Sequence, residues 1–183
     1  MVRPLTRHVP EPPPVLGTLP AWELVDQDGK TFGSRDLAGA PYVVSFFFTS
    51  CVTICPKIMT AVKDLQQRYE RSDMPVRLVS ITVDPETDRP ARLKEKAVAY
   101  GVDSKRWRLL TGERADLHTL IVDGFKTYMG ERVVDADNIL DIGHGGKLIL
   151  VDENGGVRGH YDTDSSGIDE IFWRSDHVLR ASR

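Results

Sequence analysis

Residues 42–56 read YVVSFFFTSCVTICP, and this stretch decides the fold. Residues 42–49 are a nearly continuous β-branched and aromatic run, the pattern of a strand buried on both faces of a sheet. A helix is expected directly afterwards. Pro56 suits the first helical position, and Ile58, Met59, Val62, Leu65 and Tyr69 recur at helical spacing to about residue 71. Cys51 and Cys55 therefore stand where a buried strand gives way to an amphipathic helix. In open α/β sheets that edge is where ligands bind, because the loops at strand C-termini converge on it.

The alternation continues outward. Residues 76–83 (VRLVSITV) predict a second buried strand, and 90–100 predict a helix with Leu93, Ala97 and Tyr100 on one face, stopped by Gly101. Residues 106–110 suit a third strand, and Leu117, Leu120 and Ile121 mark a helix between Gly112 and Gly124. The turn string ENGG (153–156) joins 147–152 to 157–161 as a hairpin, and 167–179 form a closing helix. Upstream, WELVDQDGKTF (22–32) places apolar residues on both sides of Asp28-Gly29 and predicts a small N-terminal β-hairpin. The expected fold is an α/β layered sheet flanked by helices.

Six of the eleven prolines fall in the first twenty residues, a composition that favours extended polyproline II. Residues 1–20 are read as a proline-rich linker or tail and 21–183 as one folded domain. With 183 residues, 40% hydrophobic and 28% charged, the chain has the make-up of a soluble globule with a sizeable core. A net charge of −3 supplies no basic field for neutralising phosphates, which excludes nucleic acid as a partner. The longest apolar stretch, 42–48, falls far short of the ~20 residues a membrane helix needs.

With only two cysteines, no framework of several disulfides holds the fold, and a chemical role is the better reading. Proline disfavours the α conformation at the residue before it, so Cys55 is expected at or just outside the helix start. Unpaired N–H groups and the helix dipole stabilise a thiolate there, with Lys57 adding charge, so at least one cysteine is expected to be unusually acidic. The intervening loop can bend to place both sulfurs on one metal ion, or close them as a disulfide. Two thiolates are a soft pair that favours Cu(I), whereas a closed zinc site would need two further ligands. The plainer alternative is a pair of buried free cysteines used as small apolar residues. Met59, on the apolar stripe, and Trp107 are assigned to the core. His8, His118, His160 and His177 are assigned to solvated or surface positions.

FFFTSCVTICP, VSITVDPETDRP and a histidine immediately before the closing hairpin together resemble the Sco/SenC family of copper chaperones. The resemblance covers nearly everything from Trp22 onward. It implies a thioredoxin-like layered fold with a central mixed sheet, and it carries Cys51, Cys55 and His144 over as ligands for Cu(I) or Cu(II). In such a sheet the strand after His144 runs antiparallel to the cysteine strand, so its beginning lies at the edge where the cysteines sit. Asp84, ending the second strand, is a candidate supporting carboxylate. Where family members typically have Asp directly before this histidine, the chain reads Asp141-Ile142-Gly143-His144-Gly145-Gly146, which makes Asp141 a second candidate. The flanking glycines are expected to make this loop permissive.

The function implied is a copper metallochaperone that delivers its ion by ligand exchange to the dinuclear copper centre of a cytochrome c oxidase subunit, or to another copper apoprotein. The alternative is a thiol-disulfide oxidoreductase in which one of Cys51 and Cys55 attacks a target disulfide and the other resolves the mixed intermediate, with a thiol reductant restoring the pair. A peroxiredoxin-type peroxidase is discounted: in its Pro-x-x-x-Thr-x-x-Cys signature Val44 would occupy the proline position. Copper insertion into respiratory oxidases takes place outside the cytoplasm. The domain is therefore expected in the periplasm, or facing it from a membrane anchor outside this chain, with the proline-rich start as tether.

Overall fold

The computed structural model describes residues 11–134 and 140–182. Strands β1 (Gly17–Thr18), β2 (Glu23–Asp26) and β3 (Thr31–Gly33) lead through a short helix α1 (Ser34–Leu37) into β4 (Tyr42–Phe47). Then come α2 (Cys55–Arg71), β5 (Arg77–Thr82), α3 (Pro90–Tyr100) and β6 (Trp107–Thr111). Helix α4 (Arg114–His118) runs on into a π-helical turn, Thr119–Gly124. Two hairpins, β7 (Met129–Val134) with β8 (Leu140–His144) and β9 (Leu148–Val151) with β10 (Gly156–Tyr161), precede the closing helix α5 (Ser165–Ala181).

The main sheet has the order β1-β10-β9-β4-β5-β6-β2-β3. Strands β4, β5 and β6 are parallel, and the outer strands join antiparallel, which makes the sheet mixed. Every residue of β4 is buried, as its nearly continuous apolar character requires of a central strand. Ser45 interrupts that run without leaving an unpaired hydroxyl: it pairs in register with Ser80, the two oxygens lie 2.7 Å apart, and Trp107 Nε1 donates to Ser80 at 2.9 Å. The two parallel crossovers, both right-handed by the usual rule, carry α2 and α3 to the same face. Helix α5 packs beside α2, where Tyr69 stacks on Phe172 and hydrogen-bonds Ser175 at 2.8 Å. Phe125, just past the π-helical turn, meets Phe46 edge-on from the sheet. The predicted layered sheet with flanking helices and an N-terminal hairpin (β2–β3) is thus the observed architecture.

The segment read as linker contributes to the sheet at its end. Gly17 and Thr18 pair antiparallel with β10, Leu19 is buried, and Arg158 donates to the Pro13 carbonyl at 2.7 Å. His8 lies outside the described residues. The β7–β8 hairpin is an element that periodicity does not reveal. It forms its own two-stranded sheet beside the main one and delivers His144 as its last residue.

Candidate metal centre

Strand β4 ends at Phe47, and the chain turns at once, with the Cys51 amide donating to the Phe48 carbonyl at 3.2 Å. Cys55 is the first residue of α2 and Pro56 the second, where a missing N–H leaves no helical bond unmade. The Cys55 amide is one of the helix's unpaired first-turn donors, and it points at Cys51 Sγ, 3.4 Å away. The helix start therefore serves the sulfur of Cys51 rather than that of Cys55.

His144 arrives from the other direction. Strand β9 runs antiparallel to β4, with Val44 opposite Ile149, so the residues before β9 lie beyond the end of β4. His144 Nε2 comes within 3.4 Å of Cys55 Sγ, across 89 residues of sequence. The ligand atoms of Cys51, Cys55 and His144 all lie within 4.8 Å of one another, and among the described residues this is the only such group of three that could hold a metal ion. A trigonal ion with bonds of about 2.3 Å to sulfur and 2.0 Å to nitrogen separates its ligand atoms by roughly 4 Å, so small side-chain rotations would close the set on a metal. The donor set fits a soft ion.

Both cysteines are free and buried, Cys51 at 9% exposure and Cys55 at 1%. Burial works against ionisation of Cys51, but the Cys55 thiol and amide, with the Thr53 hydroxyl 3.6 Å away, outweigh it and hold the thiol below its ordinary value. Burial pushes Cys55 strongly the other way, and its partnership with Cys51 adds to the rise. One acidic cysteine was expected here, and it is Cys51. Burial also holds His144 below the ordinary imidazole value; the Gly145 carbonyl and the charge of Asp141 pull upward without prevailing. Its Nδ1 lies 3.2 Å from the Gly145 carbonyl, an acceptor, so Nδ1 carries the proton and the Nε2 lone pair faces the sulfurs. Phe48 packs edge-on against the imidazole.

The glycines around His144 have a different purpose from the one expected. None of Gly143, Gly145 and Gly146 has a positive φ, so no special backbone freedom is used. A Cβ at Gly143 would lie 2.6 Å from the Tyr128 ring, one at Gly146 would lie 2.9 Å from Ile54, and one at Gly145 would collide with the Thr127 hydroxyl. They permit close approach: the half-buried histidine segment lies against the Tyr128, Thr127 and Ile54 side chains.

The two candidate carboxylates do not hydrogen-bond the ligands. Asp84 is fully buried and accepts from Arg132 Nη1 at 3.3 Å, while its second oxygen has no hydrogen-bond partner among the described residues. Asp141 is exposed, three residues from His144 along β8, and alternation places the two side chains on opposite faces of that strand. The carboxylate that reaches the cysteine loop is Asp88, in the same VDPETD string as Asp84. It accepts from the Thr49 amide at 2.9 Å, from the Thr49 hydroxyl, and from the Thr82 hydroxyl at 2.6 Å. The outward histidine His160 is exposed on β10, and Met59 and Trp107 are fully buried, as expected of surface and core residues.

A family model described as SCO1/SenC matches residues 14–177. The SCO1 protein homolog of Bacillus subtilis is 34% identical over 143 residues, 75% of this chain and 74% of the relative. A Stutzerimonas stutzeri protein named for copper binding is 31% identical over 143 residues, covering 78% of this chain and 68% of that one. Among solved structures, a SCO1/SenC family lipoprotein from Bacillus anthracis superposes with a TM-score of 0.80 at 30% identity, over 90% of this chain and 97% of that one. BsSco, described with a disulfide switch and as a member of the Sco family of cytochrome c oxidase assembly proteins, gives a TM-score of 0.79 at 27% identity, over 92% and 98%. With a family match over most of its length and a relative above 30% identity, this chain belongs to the SCO1/SenC family.

Proposed function

We propose that this chain is a copper carrier that binds one ion through Cys51, Cys55 and His144 and hands it by ligand exchange to an apoprotein, the dinuclear copper centre of cytochrome c oxidase being the recipient. The observation that carries the reading is the convergence of two sulfurs and one imidazole nitrogen within 4.8 Å, with the nitrogen's lone pair turned toward the sulfurs. A relative named for copper binding, and the description of BsSco as a member of the Sco family of cytochrome c oxidase assembly proteins, support it. Two thiolates and an imidazole suit Cu(I), and thiolate-imidazole sites also hold Cu(II). Ligand exchange needs a site that opens at one side, and Cys51, the more exposed sulfur, lies beside the exposed Val52 and Ile54. The domain acts outside the cytoplasm, tethered to a membrane, a reading supported by the relative described as a lipoprotein. Among the described residues no helix is long and apolar enough to cross a membrane.

The test is an anaerobic Cu(I) titration of reduced protein against a chromophoric competitor, with Cys51→Ala, Cys55→Ala and His144→Ala alongside. One copper per chain is expected, lost with either cysteine and weakened without His144. Binding no tighter than that of the cysteine variants would end the copper reading.

A second reading, reduction of a target disulfide, is favoured by the activated Cys51. The Cys51 thiolate attacks one target sulfur, forming a mixed disulfide and releasing the other as a thiolate. Cys55, once deprotonated, attacks Cys51 Sγ, releases the second target thiol and leaves the chain as a Cys51–Cys55 disulfide, two electrons having passed to the target. A thiol reductant must then restore the pair. Stoichiometric loss of both free thiols on incubation with an oxidised dithiol peptide would support this step.

A further inference from the structure

His144 stands on a hairpin that, among the described residues, shares no ladder with the main sheet, β7 and β8 pairing with each other. What holds that hairpin in place therefore decides whether the imidazole stays near the sulfurs. Two apolar side chains anchor it, Ile142 at 0% exposure and Met129 at 6%. Both belong to residues in the ladder that carries His144: Met129 lies opposite His144, and Arg132 lies opposite Ile142. Residues directly opposite in an antiparallel pair project to the same face, and so do residues two apart on one strand. Ile142 and His144 thus share one face of the hairpin, and Arg132, opposite Ile142 and with its side chain 44% exposed, reaches from the edge of that face to Asp84.

Arg132 meets there a fully buried carboxyl group. Asp84 is 0% exposed, its Oδ1 receives Arg132 Nη1 at 3.3 Å, and its Oδ2 has no hydrogen-bond partner among the described residues. Its amide donates to Thr82 Oγ1 at 3.0 Å, which ties it to the end of β5 and, through Asp88 and Thr82, to the loop that carries Cys51. A carboxylate buried this deeply is costly without a cation, and Arg132 is the only cation in salt-bridge contact with it among the described residues. A second pair, Arg114 with Glu131 at 3.4 Å, lies on the exposed side of the same strand and is screened by solvent.

We propose that Arg132 is a positioning residue for His144: its ion pair with Asp84 clasps the β7–β8 hairpin to the end of β5 and so holds the imidazole against the cysteines. The clasp acts on the third ligand alone. The two sulfurs belong to the β4–α2 junction, which makes no use of Arg132. Releasing the clasp converts a three-ligand site into a dithiol, the state from which an acceptor could take the ion most readily. The inference rests on the copper reading for its role in transfer, but its geometry can be tested without metal.

The experiment compares wild type, Arg132→Gln, Arg132→Ala and Arg132→Lys. In metal-free protein, amide hydrogen exchange across 140–146 is expected to quicken in the Gln and Ala variants and to stay near wild type in Lys, with α2 and the β4–β6 strands unchanged. With Cu(II) added, the imidazole-nitrogen coupling in the pulsed electron spin resonance spectrum is expected to weaken in Gln and Ala. Affinity should fall by about tenfold, the lower end of losses seen when groups supporting metal ligands are removed. Unchanged exchange at 140–146 in Arg132→Gln would overturn the clasp, whatever the metal result. Loss of protection throughout the chain in both Gln and Ala would also overturn it, because the residue would then be holding the fold rather than the hairpin. Wild type that binds no copper, with the exchange pattern as expected, would refute the copper reading and leave the clasp standing.

Discussion

Asp88 grips Thr49 through both the backbone amide and the hydroxyl, two residues before Cys51, and reaches Thr82 at the end of β5 with the same carboxylate. A group at 0% exposure thereby joins the ends of two adjacent parallel strands at the point where the cysteine loop begins. Burial pushes this carboxyl above the ordinary range, against the pull of those hydrogen bonds. Asp88→Ala would leave the Thr49 amide and two hydroxyls without their acceptor. At about 1–3 kcal/mol for a buried unsatisfied group, the expected loss is roughly 2–4 kcal/mol, read by urea unfolding. Asp88→Asn keeps one acceptor oxygen and should lose less.

The glycine after the histidine is there for space. Gly145→Ala drives a methyl group into the Thr127 hydroxyl, and overpacking of this kind costs typically 1–3 kcal/mol. Thr127→Ala removes the colliding atom and leaves the Thr127 Cβ 3.5 Å from the new methyl group, an ordinary contact. Unfolding of both single variants and the double variant forms a cycle. The double variant is expected to be more stable than Gly145→Ala alone; strict additivity would mean that the two positions do not meet.

Much of this was open to reading from residue pattern, and the exceptions have physical causes. Strand β4 declares itself by its nearly continuous β-branched and aromatic run and helix α2 by apolar residues at helical spacing, and proline marks the helix start within a residue of where it lies. His144 could be placed through the resemblance to the Sco/SenC family, whose antiparallel strand after the histidine explains how it meets the cysteines. The hairpin that holds it could not: in MGERVV the last four residues are exposed and alternate no core face. Nor can spacing say which aspartate of VDPETD supports the loop. Asp84 and Asp88 are both fully buried, and only the course of the turn after β5 sends one to Arg132 and the other to Thr49. The glycines of 143–146 were misread because a small residue serves flexibility and close approach alike, and only the neighbours, Tyr128, Thr127 and Ile54, distinguish the two.

The two thiols should differ in reactivity. Cys51 takes the helix-start amide of Cys55 and has the greater exposure, whereas Cys55 is sealed and held protonated by burial. Because the thiolate is the nucleophile, iodoacetamide at neutral pH should alkylate Cys51 well ahead of Cys55. Peptide mapping at partial modification reads the order directly. Equal labelling would show that the helix start does not activate Cys51.

His144 also gives the metal-free protein a pH dependence whose sign is determined by burial. Its folded value is depressed below the ordinary 6.5, so between the two values the unfolded chain binds more protons than the folded one. The stability that depends on a neutral imidazole is therefore complete above about 6.5 and is lost as pH falls through the folded value. Asp88, whose folded value is raised, acts in the opposite sense, becoming more favourable as pH falls toward the ordinary carboxylate range. The histidine contribution is isolated by comparing wild type with His144→Gln, which cannot take up a proton. Urea unfolding from pH 7.5 down to 4.5 should show wild type losing ground relative to the glutamine variant below neutrality. Parallel curves would mean that the imidazole protonates as easily in the folded chain as in the unfolded one, and that the site is more open to water than its packing against Phe48 and the Gly145 carbonyl implies.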